Sequence, residues 1–248
     1  MNGQYLLHMR VTTCFVVLTL FSGCATTGRI SDGDPFEGFN RGAYNFNKSI
    51  DKHLFNPIAE VYDALLPKVV NEGVNNIFSN MNDISVIAND ILQFKIGQAF
   101  SDLARFVLNS SLGLAGFFDV STKMGLAKHR EDFGQSLARW GFDSGPFLVI
   151  PLLGPTTLRN ATSLIVDGVL LSPTTYIRDT GYSSGLMALQ YIDFKADLLS
   201  TSELLGIAAV DEYGFLKSVF LQYRDNLVYD RGEDDIPEVE STDFDSYD

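Results

Sequence analysis

The sequence predicts an all-α protein made of short amphipathic helices. Apolar residues recur at spacings of three and four along most of the chain. Pro, Gly and Asn interrupt that period at short intervals. Alternation of period two, the mark of strands, is weak throughout.

The first stretch to place is the leader. Arg10 precedes an apolar run from Val11 to Leu20, which closes on Phe21-Ser22-Gly23-Cys24. A basic start, a short apolar core and small residues make a secretory signal peptide. Met9 gives a cleaner start for it than Met1. A cysteine at the cleavage point matches a bacterial lipoprotein signal, with diacylglyceryl attached to the Cys24 thiol. The competing readings are a secreted protein with a coincidental cysteine and a transmembrane helix. The latter needs about 20 apolar residues. Ala25 after the cysteine favours the outer membrane, because Asp there marks inner-membrane retention in Gram-negative lipoproteins. No cofactor is expected beyond the covalent lipid. Residues 1–23 are then the signal and 24–33 a tether.

Composition narrows the function. Of the chain's 248 residues, about 225 follow the leader, enough for one domain and a tail. With Cys14 removed and Cys24 acylated, neither a disulfide nor a thiolate metal site remains. The net charge of −13 is concentrated in residues 230–248, which hold nine acids against Arg231. That segment reads as a disordered, solvated tail. No basic face is concentrated enough for nucleic acid. Hydrophobic residues make up 46%, including 19 Phe, so any contact with a bilayer beyond the anchor is apolar.

The elements follow in order. Asp34-Pro35-Phe36-Glu37 predicts a capped helix start with a capping box. Phe36, Phe39, Ala43, Phe46 and Ile50 then share one face, which suits a core or a lipid interface equally. Pro57 and Pro67 delimit a helix over Pro57–Leu66. Further helices are expected over Lys68–Ser79, around Ile84–Phe94 and over Gly97–Ser110. Leu112–Phe118 is apolar and glycine-bearing. Asp119–Phe133 is a polar loop or hairpin, and loops of that length are usually functional or mobile. Phe133–Trp140 suggests a short helix. Gly141–Pro155 is apolar and proline-rich, and reads as irregular backbone buried in a core turn or lining a wet cavity. Thr156 or Thr157 can cap a helix through Leu164 and Val169, and a last helical region spans about Gly185–Tyr229.

Catalytic constellations are missing. His129-Arg130 and Asp132-Phe133-Gly134 superficially match kinase signatures, but they abut and the other kinase elements are absent. Gly141-Phe142-Asp143-Ser144-Gly145 misses the nucleophile elbow by one place. His53 and His129 make no metal cluster. The chain does not read as an enzyme.

Several stretches together resemble the MlaA (VacJ) family of outer-membrane lipoproteins. These are Asp34–Arg41 with Tyr44–Asn47; Arg105–Ser110 with Leu112-Gly113 and Gly116–Val120; and Glu131–Leu137 with Trp140-Gly141 and Gly145–Pro155. The likeness runs over about Asp34–Gly168 and weakens to Tyr229. Asn160 departs from it, since the family usually has Asp after Arg159. The resemblance implies a ring of amphipathic helices over 34–229, embedded in the inner leaflet of the outer membrane. It also implies an amphipathic channel that removes phospholipid from the outer leaflet. Trimeric porins and a periplasmic lipid carrier are the implied partners. Asn40, Asn45 and Asn47 are then expected on the lumen or gate side of the first helix, with Phe46 beside them packing or meeting lipid. Ser121–Asp132, with Lys123, Lys128, His129, Arg130 and Glu131, becomes a mobile gating hairpin supported by Gly141 and Gly145. The alternative is a porin-associated structural lipoprotein that conducts no lipid.

Overall fold

A computed structural model describes residues 34–208 and 211–231, with the backbone alone for 200–208. The expected signal peptide, Cys24, the expected tether and the residues beyond Arg231 lie outside the described residues. Helix α1 (Glu37–Ile50) runs through a π-helical turn, Asp51–Phe55, into α2 (Asn56–Leu65). Then come α3 (Lys68–Leu92), α4 (Ile96–Ser111), the single turn α5 (Val120–Lys123) and α6 (Phe133–Arg139). Strands β1 (Phe147–Ile150) and β2 (Gly154–Thr157) precede α7 (Leu158–Ile165). A π-helical stretch, Val166–Leu171, and a 3₁₀ turn, Pro173–Tyr176, lead to α8 (Thr180–Ala208) and α9 (Glu212–Val228).

Asp34 organises the first helix from two residues further out than expected. Its Oδ1 accepts the Phe36 amide at 3.1 Å and the Asn40 side-chain amide at 3.2 Å, and the helix opens at Glu37. Its other oxygen receives the Tyr213 hydroxyl and lies 3.3 Å from Lys217 Nζ, tying α1 to α9.

The two helices expected over Lys68–Ser79 and Ile84–Phe94 are one helix of 25 residues. Asn80-Met81-Asn82-Asp83 contains neither Gly nor Pro. Asn80 bonds outward to Ser110 Oγ at 2.9 Å and Asp83 to Lys128, so neither competes for the helix backbone. Conversely, the single region Gly185–Tyr229 is two helices. Asp211, just before α9, is gripped by both terminal nitrogens of Arg41 at 2.9 and 2.8 Å.

The apolar stretch ending at Pro155 is a β-hairpin rather than irregular backbone. β1 and β2 pair antiparallel, Phe147 opposite Thr157 and Ile150 opposite Gly154. Phe147 and Val149 face inward on alternate positions and join Ala43 and Tyr213 in a small apolar cluster. Thr157 caps α7, accepting the Asn160 amide, as its position predicts.

Candidate functional site

The described residues are arranged inside out. Eight apolar residues are buried, against twenty polar or charged ones. Helix α4 shows the pattern most clearly. Asp102, Arg105 and Asn109 point inward, while Ile96, Phe100, Leu103 and Val107 are exposed. In water an exposed apolar face of this extent is unfavourable; against acyl chains it is the favoured side. Phe94, at the turn between α3 and α4, is 83% exposed and holds a left-handed φ of 61°. Among the described residues no helix is long and apolar enough to cross a membrane.

The inward polar residues of α3 and α4 meet the segment Ser121–Asp132. No strand forms there, so of the two expected forms, loop or hairpin, the segment after α5 is a loop, which runs as a strap. The reason is that most of its polar side chains find buried partners on the helices. Lys128 bonds Asp83 and, at 3.0 Å, the Ser79 carbonyl. His129 Nδ1 lies 2.9 Å from Asp102 Oδ2. Glu131 is buried and accepts from Lys95 at 2.7 Å and from Gln93 and Gln98 at 2.8 Å. Arg130 stays exposed and reaches the Tyr223 hydroxyl, while Lys123 is exposed on α5. The next residue, Asp132, caps α6 and receives Arg224.

Electrostatics in this core is set by burial. Burial first, and then its hydrogen bond with Asp102, pushes the Asp90 carboxyl up to about 8. Its Oδ1 accepts from Gln98 at 2.8 Å. Burial also pushes Asp83 upward, against the pull of Lys128. At the root of the strap, burial opposes ionisation of Asp119, but the Thr122 amide and hydroxyl, Asn109 and Arg105 hold it down at about 2. No metal-binding cluster is formed among the described residues.

The first-helix asparagines separate. Asn40 is fully buried, donating to the Phe147 carbonyl at 3.0 Å and accepting the Val149 amide at 2.9 Å. Asn47 does the same one step along, with the Ile150 carbonyl and the Leu152 amide. Both serve the hairpin edge in place of a third strand. Asn45 and Phe46 are exposed. Gly141 and Gly145, with φ of 89° and 66°, lie on the path into β1. A Cβ on Gly145 would also sit 3.0 Å from that of Leu158.

Asp83, Asp90, Lys95, Asp102, Arg105 and Arg224 were not expected from the sequence. A signal was present for two of them: Asp102 and Arg105, together with Asn109, form a polar stripe with the same helical spacing as the apolar one. A further polar feature is a cleft of about 580 Å³ beside α2, α3 and α8, lined by Asp63, Lys68, Asn71, Asn75 and Asp197 among others. Asn75 donates to Asp197 across it at 2.5 Å.

The fold is thus an inverted helical shell, apolar side chains outside and a charged, hydrogen-bonded core within. Comparison with known proteins gives the class a name. The family model described as MlaA lipoprotein matches residues 32–227. This chain belongs to the MlaA lipoprotein family. It is 31% identical to the intermembrane phospholipid transport system lipoprotein MlaA of Escherichia coli, over 88% of each chain. It is 30% identical to an uncharacterized protein of Rickettsia conorii, over 83% of this chain and 82% of that one. A chain from a structure titled "Structural basis for maintenance of bacterial outer membrane lipid asymmetry" superposes with a TM-score of 0.69 at 28% identity, covering 79% of this chain and 99% of the other.

Proposed function

We propose that this protein takes phospholipid from the outer leaflet of the outer membrane and passes it toward a periplasmic carrier, beside a trimeric porin. The observation that carries this reading is the inversion: apolar side chains outside, ionised and amide side chains inside. A phospholipid stalls in a bilayer because its charged head must cross hydrocarbon, where an unpaired charge costs several kcal/mol. A shell whose outside solvates acyl chains and whose inside offers hydrogen bonds lowers that cost without bond chemistry. In this reading the polar cleft beside α2, α3 and α8 carries headgroups. The strap closes the core, and opening it breaks the Lys128–Asp83 and Lys95–Glu131 pairs. Acylation of Cys24 supplies the anchor to the inner leaflet.

The test is surface phospholipid on cells lacking the gene, read with an outer-leaflet acyltransferase probe. The expected result is a rise that the wild-type chain reverses and the Cys24→Ala variant does not. No rise sinks the transport reading and favours structural support of a porin. A disulfide pinning the strap to α3 is expected to stop transport while leaving the fold intact.

A further inference from the structure

Three buried donor atoms have no acceptor in the protein and belong to residues lining one cavity. They are Nε of Arg159, Nε of Arg224 and Nδ2 of Asn160. Asn160 is only 7% exposed. The cavity, about 500 Å³, lies between the start of α7 and the end of α9, with the Ser144 and Thr157 hydroxyls also on its wall. Terminal nitrogens of both arginines hold the side chains in place. Arg224 grips Asp132 with both terminal nitrogens and donates to Asn160 Oδ1 at 2.9 Å. Arg159 donates to the Phe142 carbonyl at 2.7 Å. The unused donors are therefore fixed in advance, which lowers the entropy lost on binding.

The charges nearby decide what fits. Burial and the neighbouring Arg224 both work against the charge on Arg159, and a bound anion relieves both. Asp132 is committed to Arg224, and Asp225 is committed to Arg231 at 2.6 Å. Asp143, exposed at the cavity, is the remaining carboxylate beside Arg159. Asn160 adds a donor where a carboxylate would add only acceptors. Guanidinium groups match the tetrahedral oxygens of phosphate in geometry as well as charge.

We propose that the cavity between Arg159, Asn160 and Arg224 binds a phosphate group, as a free anion or within a lipid headgroup. The proposal does not depend on transport, because it is read by binding alone. The experiment is calorimetric titration of the full chain, in neutral detergent, with inorganic phosphate and separately with glycerophosphoethanolamine. Saturable binding is expected. Preference for the first probe assigns the site to free phosphate, and preference for the second to headgroups. Arg159→Gln is expected to weaken binding about tenfold or more, the loss of one charged hydrogen bond. Asp143→Asn, which removes the competing carboxylate, is expected to tighten it several-fold. A melting curve checks that Arg159→Gln is folded; if it is not, Asp143→Asn decides. No saturable binding of either probe, or affinities unchanged in the folded variants, overturns the proposal.

Discussion

Asn40 pairs with the main chain around Val149 as a neighbouring strand would, although it sits on a helix. Its amide accepts the Val149 N–H and donates to the Phe147 carbonyl, closing the open edge of β1. Removing it strands two backbone groups in the interior, each costing about 1–3 kcal/mol. Asn40→Ala is expected to lose about 3 kcal/mol in denaturant unfolding. Asn45→Ala, on the exposed face, is expected to stay within about 0.5 kcal/mol. Equal losses would contradict the clamp.

Lys128 neutralises Asp83, whose side chain is 1% exposed. Lys128→Met leaves that carboxylate without its cation and is expected to destabilise the fold by about 3–5 kcal/mol. Adding Asp83→Leu is expected to restore most of the loss, because the unpaired charge disappears with it. Lys123→Met is the control and should change little. A double variant no better than the single would show that packing, not charge, holds the strap.

The raised pKa of Asp90 makes stability depend on pH. In the unfolded chain this group ionises above about pH 4, while burial and Asp102 raise its folded pKa well beyond that. The folded state then holds the extra proton, so its stability falls as pH rises through that window. Asp90→Asn removes this titration. Its urea midpoint is expected to fall less than the wild type's between about pH 5 and about pH 8. Parallel profiles would assign the dependence to other groups.

Phe94 combines exposure with a left-handed backbone, which costs a side-chain-bearing residue about 1–2 kcal/mol. Phe94→Gly is expected to raise stability by about 1 kcal/mol while weakening partition into phospholipid vesicles, since a buried Phe contributes about 1.5–3 kcal/mol. A variant that gains stability and keeps full vesicle binding would remove Phe94 from the lipid-contact surface.

Much of the architecture was legible from local pattern. The spacing of Phe100, Leu103 and Val107 marked a helix, and Thr157 marked the start of α7 as its cap. The family motifs from Asp34 to Gly168 pointed to the fold that the comparison with solved structures bears out. The hairpin was not legible, because Pro151, Gly154 and Pro155 mask a strand pair whose edge is satisfied by Asn40 and Asn47 from a different element. The inward turn of the strap's side chains was not legible for a related reason. Lys128, His129 and Glu131 look solvated in sequence, and only the polar faces of α3 and α4 turn them inward.

By itself, then, the sequence determined that the chain is mainly helical, that no recognised catalytic motif is assembled along it, and which family it resembles. Helical periodicity is an intrasegment property, set by 3.6 residues per turn and readable without neighbours. Only the tertiary structure decided which face of each helix points inward. That choice depends on what lies on the other side, and an apolar stripe suits a core and a lipid layer equally well. Here the carboxylates and amides of α3, α4 and the strap bond one another across dozens of residues, and the apolar stripes are left for the outside.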